Sequence, residues 1–484
     1  MKIRLLTMGL LLLTTVALAE PEFPVINSST PLSLDSLIAL GFRYSPVLRQ
    51  TTLTTRLNTI GKINAVGQFL PTVSLGLSFS QTHYRSPTFV NPNGSVGVIN
   101  ARPAEVFRTY VVNWDTSGGV PHNPQLAFLN DTIPAVTVPE GDSRSSSMFI
   151  SLNESLFEGG RRFFLYRLAK VQEKINNESV DNVKKNLAAQ IAEQVMVVLT
   201  QERLVDLDKR LRDQRKDALD LARARFEVGA VTELDVMQAE IDLNTAENDL
   251  STAGRTLESD REALNQIIGI NLNSTYPLEE GIGVTPYQFN VDSLVNVAYG
   301  SRSDLRIARL TVQRATQNVN MNYSNYLPTA SVGAQFGRSE NSGKNVPFTL
   351  NPRNISNRYS LNLNWNIFDG FTREYNLESA RVSRAQAVEG EKQLQLSVVK
   401  AVHDSYFNLV NTFGQLQLTG RNRDLAERRL NLERERYRLG AASQLDLRDA
   451  EVTYAQAETS NLQTTLAYQS SLIALELAVG KPLR

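Results

Sequence analysis

The chain repeats itself, and the repeat dictates the kind of architecture it can build. Asp35-Ser36-Leu37 recurs as Asp292-Ser293-Leu294, and Leu48-Arg49 as Leu305-Arg306, at an offset of 257. The same offset carries Leu70-Pro71-Thr72, Ser74, Gly76 and Phe79 onto Leu327-Pro328-Thr329, Ser331, Gly333 and Phe336. A second register, 211 residues, joins Phe157 and Gly159 to Phe368 and Gly370, and Gly229 to Gly440. It continues through Leu234-Asp235 and Leu445-Asp446, Ala239-Glu240 and Ala450-Glu451, and Gly269 and Gly480. The offsets differ by 46 residues, all of them between Phe79 and Phe157, in a stretch rich in Pro, Gly and Asn. The chain is one unit written twice, with an enlarged loop in the first repeat. Similar helices match by chance in scattered places, not in registers held this long with shared Pro and Gly.

Repeat 1 is expected over residues 34–270 and repeat 2 over 291–480. A linker at 271–290 joins them, with an N-terminal segment at 20–33 and a short tail at 481–484. Repeat 1 reads as helices within 34–69, strands at 72–82 and 147–157, and helices at 161–227 and 233–268. Repeat 2 reads as helices within 291–326, strands at 329–338 and 358–368, and helices at 372–438 and 443–479. The interval 83–145 reads as a long extracellular loop, with a cap, a lumen plug or an extra hairpin as open readings, since Val106 to Trp114 is partly strand-like.

After each matched proline the period becomes two. Val73, Leu75, Leu77 and Phe79 alternate with Ser74, Gly76, Ser78 and Ser80. Ala330, Val332, Ala334 and Phe336 alternate with Ser331, Gly333, Gln335 and Gly337. Tyr359, Leu361, Leu363, Trp365 and Ile367 alternate with Ser360, Asn362, Asn364 and Asn366, whereas Glu154 breaks the pattern of the second strand. Such strands have one apolar and one polar face, as on a soluble core or in a membrane barrel. Length of roughly 9–11 residues, a small uncharged polar face and aromatic strand ends favour the barrel. Four strands leave two open edges, which lipid cannot satisfy. Single-chain barrels begin at about 8 strands, so a barrel here must be shared. Two, three or four chains would supply about 8, 12 or 16 strands, and counting alone does not choose.

The segment from about Arg161 to Glu227 has neither proline nor interior glycine, and its counterpart from Thr372 to Arg438 carries only Gly390, Gly414 and Gly420. At 1.5 Å per residue each spans ~100 Å. Val399, Val402, Tyr406, Leu409, Phe413 and Leu416 follow coiled-coil spacing, as do Val236, Ala239, Leu243, Ala246, Leu250, Ala253 and Leu257. Each long helix ends before a glycine, Gly229 or Gly440, and Thr232 or Ser443 then opens the next helix. That is the punctuation of an αα-hairpin. Arginines crowd this region (Arg428, Arg429, Arg434, Arg436 and Arg438); a solvated face with i,i+4 pairs explains them better than docking.

Lys2 and Arg4 precede an apolar run from Leu5 to Ala17 and the small-residue step Ala17-Leu18-Ala19, so residues 1–19 read as a secretory signal. With no cysteine, the chain has no disulfide and no thiolate metal site. No later apolar stretch approaches the ~20 residues of a membrane helix. The 50 basic residues balance 50 acidic ones, which gives no electrostatic case for nucleic acid. The three histidines, His83, His122 and His403, form no nucleophile pair or metal cluster, so neither an enzyme nor a cofactor is expected. A periplasmic coiled-coil adaptor or scaffold without a barrel is the competing reading; it explains the helices but not four two-faced strands.

The duplication, the Leu-Pro-Thr strand entries, the Phe157-Gly159 and Phe368-Gly370 exits and the Gly-x-x-[Thr/Ser]-x-Leu-Asp hairpins at Gly229 and Gly440 together resemble the TolC-like outer membrane factors. The resemblance implies a mixed, mainly α fold: long antiparallel coiled-coil helices forming an α-barrel, plus four strands per chain of a shared 12-stranded outer-membrane β-barrel. It implies a homotrimer in outer-membrane lipid with a periplasmic extension, an exit duct for efflux or type I secretion that docks a periplasmic adaptor and an inner-membrane pump. By the same resemblance Pro71, Pro328, Gly159 and Gly370 mark helix-to-barrel junctions, and Gly229 and Gly440 the tips that meet the adaptor. Tyr437 matches a residue that holds the closed aperture, and Asp446 and Asp449 fall where the family places acidic aperture rings. Read from the residues alone, those two carboxylates equally suit a helix N-cap and first turn. Where the family carries a latching arginine this chain has Ala442, which leaves no side chain there for that salt bridge.

Overall fold

The computed structural model describes residues 23–84, 88–90, 96–98, 104–115, 122–133, 141–279, 289–342, 353–439 and 441–483. The expected signal at 1–19 and the glycine at 440 lie outside them. Two compact units form, each from discontinuous sequence: Met1–Val66 with Phe163–Tyr323 and Phe371–Arg484, and Gly67–Arg162 with Ser324–Gly370.

The first unit is helical. In chain order the elements of repeat 1 are α1 (Leu34–Tyr44), α2 (Pro46–Gly67), α3 (Arg161–Glu227) and α4 (Glu233–Ile268). Those of repeat 2 are α5 (Val291–Ser301), α6 (Ser303–Tyr323), α7 (Thr372–Arg438) and α8 (Gln444–Val479). Both long helices have 67 residues and both return helices 36, so the duplication is exact in the helical lengths that matter most. Ser33 and Asn290 cap α1 and α5 through their side chains, accepting from Ser36 N and Ser293 N. Pro46 sits at the first position of α2, where its missing N–H costs nothing, and separates α2 from α1.

Two cores form at equivalent positions. One gathers Leu37, Leu48, Leu187, Ile191, Val198, Leu264 and Ile268. The other gathers Leu294, Leu305, Val398, Val402, Leu409, Leu475 and Val479. Every residue of the second list lies 257 or 211 positions beyond its counterpart in the first. Each repeat therefore brings its own short-helix pair onto a long and a returning helix. Burying one such aliphatic side chain stabilises by ~1.5–3 kcal/mol.

In the second unit β1 (Thr72–Tyr84), β6 (Gly141–Glu158), β7 (Thr329–Ser342) and β8 (Asn354–Asn364) form one antiparallel sheet in the order β1-β6-β7-β8. Register places the apolar residues on one face: Val73 opposite Leu152, Leu75 opposite Ile150, Ile150 opposite Phe336, and Val332 opposite Leu361. Glu154, the break in the alternation, lies opposite Val332 on that face and pairs with Arg162 at 3.0 Å. On the other face the ring of Phe149 lies across Gly76: a Cβ there would meet Phe149 Cζ at 2.2 Å.

Within the interval read as loop, the strand β1 reaches Tyr84 and β6 begins at Gly141. Between them lie β2 (Thr88–Val90), β3 (Val96–Val98), β4 (Ala104–Asp115) and β5 (His122–Ile133), paired as two antiparallel hairpins. The longer of them, β4–β5, contains the stretch from Val106 to Trp114 that reads as partly strand-like. Its register slips between Val111 and Asn113 and again between Trp114 and Asp115, and such bulges erase a period of two.

Candidate functional site

The two αα-hairpins end in turns built on one plan. At the end of α3, Gly229 N donates to Phe226 O at 2.9 Å and Ala230 N to Arg225 O at 2.8 Å. Gly229 adopts φ +71°, the left-handed conformation that a Cβ disfavours. At the end of α7, Ala441 N donates to Arg436 O at 2.8 Å. Thr232 then caps α4 in a capping box: Asp235 Oδ2 accepts from Thr232 N at 2.8 Å and from its hydroxyl at 2.7 Å. Ser443 and Asp446 repeat this on α8, at 3.0 and 2.7 Å. The Ser443 hydroxyl and backbone N–H hold the Asp446 carboxyl below the usual carboxylate range against a desolvation cost, with lesser help from Arg436 and Arg429. Thr232 does the same for Asp235.

Both expected aperture carboxylates are thus engaged within the chain. Asp446 caps its own helix. Asp449, one turn on, accepts from Arg429 Nη2 at 2.6 Å, with both side chains about half exposed. Asp446 keeps its charge to lower pH, while Asp449 is partly offset by its partner.

Three arginine contacts tie one hairpin to the other. Arg225 Nη1 donates to Tyr437 Oη at 2.8 Å, and its guanidinium lies 5.4 Å from the centre of the same ring. Arg448 donates to Asp242 at 2.9 Å. Arg215 donates to Glu451 at 3.0 Å, with side chains only 17% and 14% exposed. A cleft of about 540 Å³ lies among them, lined by Leu221, Ala222, Val231 and Ala239 from one hairpin and Leu445 and Leu447 from the other. Tyr437 is held, then, by an arginine from the first repeat, and Ala442 contributes no charge.

Sequence reasoning did not single out Arg225, Arg448, Asp242, Arg215 or Glu451 as a set. The repeat-equivalent of Arg225 is Arg436, which bonds locally to Glu433 at 2.8 Å. The same residue type thus serves two purposes, and no local signal separates them.

The remaining expected positions belong to the strand unit. Pro71 and Pro328 immediately precede β1 and β7. Gly159 follows β6 with φ +61°, and a Cβ there would fall 2.4 Å from Ser324 O. Gly370 has φ +69°. No group of three or more potential metal ligands occurs among the described residues, and no described helix is long and apolar enough to cross a membrane.

Two stretches, residues 116–270 and 294–481, match the family model of the outer membrane efflux protein, so the family's unit also falls twice on this chain. The outer membrane protein TolC of Salmonella enteritidis is 22% identical over 350 residues, which is 70% of this chain and 70% of that protein. A membrane protein from Pseudomonas aeruginosa has the same fold with a TM-score of 0.67 at 16% identity, covering 95% of this chain and 92% of its own. The CmeC outer membrane channel of Campylobacter jejuni has a TM-score of 0.69 at 14% identity, covering 92% and 85%.

Proposed function

The chain belongs to the outer membrane efflux protein family, and we propose that three subunits close one pore by pairing β8 of each with β1 of the next. It is an outer-membrane exit duct, a passive conduit rather than an enzyme. The sheet supports the shared pore. Its two outer strands are unpaired along one edge among the described residues, which hydrocarbon does not tolerate. Its apolar face is uncovered: Val73, Leu75, Leu361 and Leu363 are 65–75% exposed in the single chain. Three such sheets make a 12-stranded barrel with that face toward lipid and the serine-rich face toward water.

The hairpin turns at Gly229 and Gly440 are the surfaces offered to a periplasmic adaptor, which couples the duct to an inner-membrane pump. Asp446 and Asp449 ring the periplasmic aperture, and Tyr437 holds it narrow. The continuous helices and the arginine-tied hairpins support this reading. Residues 34–270 and 291–480 act as the two structural repeats of each subunit.

Mass measurement of the detergent-purified protein tests the assembly, together with conductance in planar bilayers. A trimer that conducts ions is expected. A monomer that is water-soluble without detergent would overturn the shared barrel.

A further inference from the structure

The serine-rich face of the sheet bears one charged side chain remote from its ends. Register assigns Ser74, Gly76 and Ser78 of β1 to this face, with Ser151 of β6 and Gln335 of β7. Directly opposite Gln335 stands Arg358 of β8. Arg358 is exposed and has no carboxylate within salt-bridge distance among the described residues. The acidic group on the same face, Glu158, lies opposite Thr329 and pairs with Arg162 at 3.6 Å. Thr329 is six residues from Gln335 along β7, ~20 Å at 3.4 Å per residue. That is twice the ~10 Å screening length at 0.1 M salt, so Glu158 does not neutralise Arg358.

We propose that Arg358 makes the β-barrel an anion-favouring segment of the pore, a specificity element distinct from the acidic aperture. The inference rests on the shared-barrel reading, in which three Arg358 side chains ring one lumen. A neighbouring β1 brings no counter-charge, because every residue of its pore face from Thr72 to Thr82 is Ser, Thr or Gly. A ring of guanidinium groups raises local anion concentration and lowers that of cations. With the charges on the order of 12 Å from the axis, Coulomb attraction screened at 0.1 M raises the anion-to-cation permeability ratio about two- to threefold. At 1 M salt the screening length falls to ~3 Å and the effect vanishes. Small anionic solutes, chloride being the simplest, therefore pass the barrel more readily than cations of equal size.

Reversal potentials in planar bilayers, measured in shallow KCl gradients centred on 0.1 M and on 1 M, test this on the full-length assembly. Arg358→Gln should lower the chloride-to-potassium permeability ratio two- to threefold at 0.1 M and leave it unchanged at 1 M. Arg358→Lys should keep the wild-type ratio, which separates charge from folding. Because the chain has no cysteine, Arg358→Cys and Tyr359→Cys report which face is wet through reaction with an anionic methanethiosulfonate. Reaction at 358 and not at 359 is expected. If 358 reacts while Arg358→Gln leaves the ratio at 0.1 M unchanged, the inference fails and the barrel stands. If 359 reacts and 358 does not, the faces are reversed, and the barrel reading and the inference fall together.

Discussion

A Cβ on Gly41 would lie 2.4 Å from Cδ1 of Ile191. The equivalent positions of repeat 2 are Ala298 and Val402, both fully buried in the second core. The repeats thus fill one site with the same atoms divided differently: Gly with Ile, or Ala with Val. A methylene has moved from the short helix to the long one.

This exchange predicts a rescue. Gly41→Ala alone overpacks the site and should cost ~1–3 kcal/mol. Ile191→Val alone should cost ~0.5–1.5 kcal/mol. The double variant restores the pairing already used in repeat 2, so its loss should be well below the sum of the single losses. Thermal unfolding followed by circular dichroism completes the cycle, and simple additivity would refute the exchange.

The tie between Arg225 and Tyr437 predicts a wider aperture when it is cut. Tyr437→Phe removes the hydrogen bond and keeps the ring beneath the guanidinium; Arg225→Ala removes both contacts. A hydrogen bond to a charged group is worth ~1.5–3 kcal/mol. Single-channel conductance should rise in the order wild type, Tyr437→Phe, Arg225→Ala. Equal conductance in all three would exclude this tie from aperture control.

The two carboxylates proposed for the aperture should differ in what their loss does. Asp449→Asn removes a charge already offset by Arg429, and it leaves the helix cap intact. Asp446→Asn removes a charge whose hydrogen bonds come from its capping box, Arg436 and Arg429 acting on it only through weaker attraction. Cation preference in bilayers should therefore fall more for Asp446→Asn. Unchanged selectivity in both variants would remove these residues from the constriction.

Asp208 gives a pH-dependent test. Burial, and then the charge of Asp249, raise its carboxyl above the ordinary value. A raised carboxyl contributes its full stability below the unfolded value of about 3.9 and loses it as pH rises through the folded value. Ionised Asp208 is thus a liability at neutral pH. Asp208→Asn should raise the melting temperature at pH 7 and leave it nearly unchanged at pH 3. An equal gain at both values would assign the effect to packing rather than charge.

Read from the chain alone, the fold class was accessible because its determinants are periodic. An apolar period of two before and after an enlarged insertion, proline-free runs long enough for ~100 Å helices, and one unit repeated at constant offsets are all one-dimensional patterns. They also required that the strands be completed by other subunits, since edge strands are a local count. The hairpins of the enlarged loop were only half visible, because bulges at Val111–Asn113 and Trp114–Asp115 interrupt the alternation.

Only the tertiary structure decided how the two hairpins are tied. Arg225 and Tyr437 stand 212 residues apart, Arg448 and Asp242 206, and Arg215 and Glu451 236. A hydrogen bond between such residues depends on the phase of two helices, each ~54 to ~100 Å long, about their axes. Phase accumulates from every packed layer along the helix, and no local stretch of sequence records it. The same holds for Gly41 and Ile191, whose fit is a property of volume shared across a core, not of either residue's neighbours in the chain.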